Sequence, residues 1–131
     1  MARLHRSLCM VVAVVAALSG VQNAASAQIV TRETRPAYEA TYNSAIRCFV
    51  ANGHARSLRE RAGDPAGVAR YDNQARRAHE LAGRAGNALA YSASQIEQDF
   101  NYAIDNELPR MANDNAYFVQ TVAGCRALEL M

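Results

Sequence analysis

The chain contains no tryptophan and no lysine, and only three prolines, three cysteines and three histidines in 131 residues. The scarcity of cysteine and histidine removes several classes of chemistry. There is no C-x-x-C, no H-x-x-x-H and no C-x-x-C-H, so the short-spaced patterns of zinc, dithiol redox and covalent haem sites are missing, and we expect no metal and no cofactor. No glycine-rich run is built to cradle a phosphate, because Gly63, Gly67, Gly83 and Gly86 are spaced as helix ends or interruptions. Ser44, Ser57, Ser92 and Ser94 stand in no nucleophile-elbow context. The string "MANDNAYF" is rich in oxygen ligands but lacks calcium-loop spacing, and reads as a turn followed by an N-cap. The longest apolar run, Leu8 to Leu18, falls well short of the roughly 20 residues a membrane-spanning helix requires.

That run belongs to a recognisable leader. Arg3 and Arg6 precede it, and Ala25, Ser26 and Ala27 follow it in the A-x-A pattern that a signal peptidase accepts. We therefore expect a secretory signal over 1–27, cleaved between Ala27 and Gln28, and a periplasmic or secreted product. Cys9 lies at the start of the apolar run rather than after it, the wrong place for a lipidated N-terminal cysteine. Cleavage leaves about 104 residues, the length of one domain. It also removes two of the 14 basic residues while keeping all 12 acids, so the formal charge of +2 belongs to the leader. A near-neutral product gives no electrostatic reason to expect nucleic acid.

Cys48 and Cys125 are the two cysteines that remain, and in an oxidising compartment an even count reads as a disulfide. Such a bond would matter. Leu, Ile, Val and Phe supply about 18 of the mature residues, close to the level at which globular folding fails. The six tyrosines and the near-zero charge favour folding, and some 20 alanines favour closely packed helices.

Hydrophobic spacing follows the helical period and never the strand period after residue 34. The residues 28–34 read as a loose leader to a single helical domain over 35–131. A first helix is expected over 35–52, with Thr34 as N-cap, Pro36 in its first turn and Gly53 as its stop. Its apolar face carries Tyr38, Tyr42, Ala45 and Phe49. "HARSLRER" then forms a short separate segment. "RAGD" and "RAGN", 23 residues apart, each set a glycine stop before an Asp or Asn start. Asp64 and Pro65 open a helix with the stripe Val68, Tyr71, Ala75, Ala78 and Leu81. A further helix runs from Asn87 to about Glu107, broken by "NELPR", and the last begins near Asn113 with Phe118, Val122 and Cys125 on one side. The expected fold is all-α: a small bundle of four or five short helices closed by one disulfide. Bridging Cys48 to Cys125 from similar depths in two helices favours parallel first and last helices, and hence an odd number of them.

Charge is unevenly spread, with ten arginines against six acids from Gln28 to Arg84, and two against six thereafter. Arg70, Arg76 and Arg77 are expected to face solvent or the acids of the next helix, such as Glu97 and Asp105. They are also candidates, with Tyr91, Tyr102 and Tyr117 off the main stripes, for contact with a partner. His54 and His79 with a nearby carboxylate would be the residues of a small hydrolase. A basic segment without Trp or Phe anchors supports membrane contact that is at most weak. The leading expectation is a protein-binding accessory, inhibitor or chaperone-like factor acting on another exported protein. A hydrolase using His54 or His79, and a peripheral membrane-surface protein, are the alternatives.

Overall fold

The structure is a computed structural model that describes residues 29–131; the expected signal sequence and its Ala27–Gln28 junction lie outside the described residues. Among the described residues there are four helices and no strand: α1 (Arg35–Arg61), α2 (Pro65–Ala88), α3 (Ala93–Asn113) and α4 (Asn115–Ala127). The all-α class and a single Cys48–Cys125 bond are both present. Ahead of α1, Thr31 and Thr34 exchange hydroxyl and backbone hydrogen bonds, and Val30 packs against the core.

The first difference from expectation lies at Gly53. The helix runs through it to Arg61, so "HARSLRER" is the last third of α1 and not a separate segment. An interior glycine costs a helix roughly 1 kcal/mol relative to alanine. Burial of Ala55, together with an Arg56 Nε hydrogen bond of 2.7 Å to Asp72 on α2, offsets it. The stop comes at "RAGD", as its composition implies. Gly63 takes φ +68°, its N–H bonds Glu60 O, and the Asp64 N–H bonds Arg59 O, the paired closure that only a left-handed residue permits. Asp64 then caps α2, its Oδ1 accepting from the Gly67 N–H at 2.9 Å.

"RAGN" behaves otherwise. Gly86 is buried inside α2, which continues to Ala88 and ends with Ala90 at φ 61° in the same paired closure, Ala90 N to Asn87 O and Tyr91 N to Gly86 O. Gly86 is required for a different reason: a Cβ there would lie 2.8 Å from Ile96 Cδ1 and 3.0 Å from Tyr42 Cε2. Pro109 also fails to break its helix. It sits inside α3, which is carried past it by Met111, 1% exposed, and ends only at Asp114. Asp114 is both the C-cap of α3 and the N-cap of α4, its Oδ1 accepting from the Tyr117 N–H at 2.9 Å. The last helix closes a third time in this way, with Glu129 at φ 57° and the buried Leu130 N–H returned to Cys125 O.

α1 is the central element and touches the other three helices. α1 and α2 form an antiparallel hairpin: Arg56 meets Asp72, Phe49 meets His79, and Tyr42 meets Gly86. The seam between them is largely alanine, with Ala45, Ala51, Ala78 and Ala82 fully buried, which lets the two backbones approach closely. α3 follows the first half of α1, with Phe100 edge-on to Phe49 at 5.0 Å and the Tyr42 hydroxyl donating to Asp99 at 2.7 Å.

The count is even, which corrects the expectation of an odd number. Once α1 extends to Arg61, Cys48 lies at its middle rather than near its end, and a short helix crossing there brings Cys125 within reach. The Cα atoms are 5.5 Å apart. At 27 residues α1 is also longer than the short helices expected.

Candidate functional site

α4 is a 13-residue helix, near the lower length at which an isolated helix holds together in water. Its position therefore depends on what ties it down. The bond to Cys48 is buried, with the two cysteines 2% and 1% exposed. Beside it, the Asn52 amide donates from Nδ2 to Cys48 O at 2.8 Å and to Leu130 O at 2.7 Å, fixing the chain where it turns back after α4. At the other end of α4, Phe118 meets the His54 ring edge-on at 4.7 Å. Tyr117 bonds Glu107 through its hydroxyl and carries Arg110 over its ring at 3.7 Å. α4 is thus anchored at both ends, on α1 and on α3.

Held in this way, α4 does not close completely on the C-terminal half of α1. A groove of about 480 Å³ lies between them, with Tyr71 of α2 at its back. Its walls are apolar: Ala55 and Leu58 from α1, and Phe118, Val119 and Val122 from α4. Leu58 is 41% and Val119 57% exposed, so the groove leaves aliphatic surface open to solvent. Two arginines stand at the groove, Arg59 and Arg126. Arg59 reaches Asp64 only at 3.8 Å, and Arg126 makes no ion pair among the described residues. Burial, reinforced by the nearby Arg61, lowers the pKa of His54 below its usual value, so the ring against Phe118 stays neutral at neutral pH.

The residues singled out from the sequence do not gather here. Arg76 and Arg77 are exposed on α2, and Arg70 folds over the neighbouring Tyr71, its Nη2 donating to the hydroxyl at 2.9 Å. Tyr91 and Tyr102 line a separate hollow between α1 and α3; Tyr91 packs edge-on against Tyr42 at 5.2 Å, while Tyr102 is 71% exposed. Tyr117 is half-buried at the α3–α4 junction. The two histidines lie on opposite neighbours, His54 on Phe118 and His79 stacked on Phe100 at 4.7 Å. Among the described residues no three His, Cys, Asp or Glu side chains are placed to hold a metal ion, and no helix is long and apolar enough to cross a membrane.

Leu58, Val119 and Arg126, the residues that mark the groove, were not among the sequence candidates. One signal was available. Val119 adds an apolar residue beside the side of α4 that carries Phe118, Val122 and Cys125, and it lies 57% exposed. Comparison with protein-family models, with curated protein sequences and with solved structures finds no match to this chain.

Proposed function

We propose that this is a small exported helical protein that acts by binding another protein, and that the partner is held in the groove between α1 and α4. The observation that carries the reading is the combination at that groove of exposed aliphatic walls, Leu58 and Val119, with the arginines Arg59 and Arg126. Apolar walls flanked by Arg126, which has no ion pair among the described residues, and by Arg59, held only by a long pair to Asp64, match a segment of opposite pattern: an amphipathic helix with aliphatic anchors and Asp or Glu beside them. Burying the exposed part of each aliphatic wall contributes on the order of 1 kcal/mol. The rim charges contribute about 0–1 kcal/mol each and act mainly on encounter rate and partner choice. Association itself costs several kcal/mol. The groove is therefore the specificity-determining part of a larger or transient contact.

The test is comparative capture from an extract of the exported compartment. The oxidised protein, a Val119→Asp/Arg126→Glu variant and a Tyr102→Ser variant on a distant face are immobilised side by side. A stoichiometric partner retained by the first and third and lost from the second supports the reading. A partner retained equally by all three removes the groove from it, and absence of any partner on the unmodified protein removes the binding reading altogether.

A further inference from the structure

A second apolar opening lies on another side of α1, and it carries an inference independent of the groove. α2 and α3 both pack on α1 and meet each other at a few side chains, His79 on Phe100 and Ile96 against Gly86. The cleft between them, about 350 Å³, has Phe49 of α1, Phe100 and Ile96 of α3, and His79 and Gly83 of α2 around it. Ile104 stands at its edge, 37% exposed.

The two rims carry opposite charge. On α2, Arg76 lies on the same helix line as His79 and Gly83, spaced i, i+3 and i+7, with Arg77 and Arg84 alongside and Glu80 as the one acid among them. On α3, Glu97 lines the cleft and Asp105 follows two turns further along the same side. Of the two surroundings expected for Arg70, Arg76 and Arg77, solvent or acids such as Glu97 and Asp105, the structure shows solvent: all three are exposed and none pairs with Glu97 or Asp105 among the described residues. The ion pairs among the described residues are Arg35–Glu39, Arg56–Glu60, Arg56–Asp72 and Arg59–Asp64, so both rims keep their charge.

We propose that a second copy of this chain covers the cleft, related to the first by a two-fold axis running along it. Such an axis lays α2 of each copy over α3 of the other, setting basic rim against acidic rim twice; an axis across the cleft would oppose like rims, and charge excludes it. The register follows from contacts within one chain. His79 stacks on Phe100, and Gly86 abuts Ile96, so Arg76 stands level with the Ile104–Asp105 turn and Arg84 level with Glu97. A rotation about an axis along the helices preserves level. It therefore brings Arg76 to Asp105 and Arg84 to Glu97 of the second copy, with the Ile104 side chains closing over the apolar floor.

Two charge-reversed proteins test this, Arg76→Glu/Arg84→Glu and Glu97→Arg/Asp105→Arg. All four positions are exposed, so folding is preserved, and circular dichroism with a thiol count verifies it. Sedimentation velocity over a concentration series should show the unmodified protein dimerising, each variant alone dissociating about tenfold or more readily, and an equimolar mixture of the two recovering the dimer. Added salt should weaken the unmodified dimer. The proposal is overturned by an unmodified protein that stays monomeric at millimolar concentration, by variants that dimerise as well as it does, or by a mixture no more associated than its components.

Discussion

Removing the Cys48–Cys125 bond should cost this domain a large part of its stability, and the size of the loss follows from its placement. The bond closes a loop with a sequence separation of 77, for which chain entropy alone predicts about 4.5 kcal/mol. Domains of this size are stable by typically 5–15 kcal/mol in total. Both sulfurs are buried, so a Cys48→Ala/Cys125→Ala protein also loses their packing, adding about 1 kcal/mol. In urea unfolding followed by circular dichroism, the midpoint should fall and the slope should steepen, because an uncrosslinked unfolded chain exposes more surface. The corresponding fall in melting temperature is roughly 20–35 °C. The loss should begin at α4, whose amides exchange first in the reduced protein while the α1–α2 alanine seam stays protected. A loss below about 1 kcal/mol would refute the entropic reasoning, and uniform exchange would refute the view that α4 depends on the bond.

Three further outcomes are expected. Gly86→Ala should destabilise by about 1–3 kcal/mol, since the new methyl meets Ile96 and Tyr42, and a neutral result by thermal melting would mean that the helices separate freely there. Ala90→Gly should stabilise by about 0.5–1 kcal/mol in the same assay, because relief of the left-handed residue exceeds the added freedom of the unfolded chain, and an unchanged or lower melting temperature would contradict this. His54 has a folded pKa below its unfolded one, so the folded state resists its protonation: stability should be flat above the ordinary histidine pKa of about 6.5 and decline as pH falls through it. His54→Gln should flatten that decline, and an unchanged pH profile would assign it to other groups.

The sequence carried the fold class, the bridged pair, the stop at Gly63 and the cap at Asp64, because each rests on a local or compartmental rule. It misplaced Gly53, Gly86 and Pro109 for one reason. A breaker residue costs a helix roughly 1–3 kcal/mol, less than burying the neighbouring turn returns. Gly53 is followed by buried Ala55, Gly86 sits in the seam, and Pro109 is followed by buried Met111. Ala90 and Glu129 carry no local sign of their left-handed backbone, which only the packing around them imposes. The groove was hidden because it is made by tertiary placement: Leu58 lies beyond the glycine at which α1 was expected to end, and nothing local says that α4 crosses there.

The claim on which the functional account turns is that the surface between the end of α1 and α4 is where a partner sits. Hydrogen exchange of the oxidised protein, free and in complex with the partner it captures, measures this directly. The account predicts slowed exchange over residues 55–61 and 117–126. Slowing confined to other segments, with those two unchanged, would contradict it.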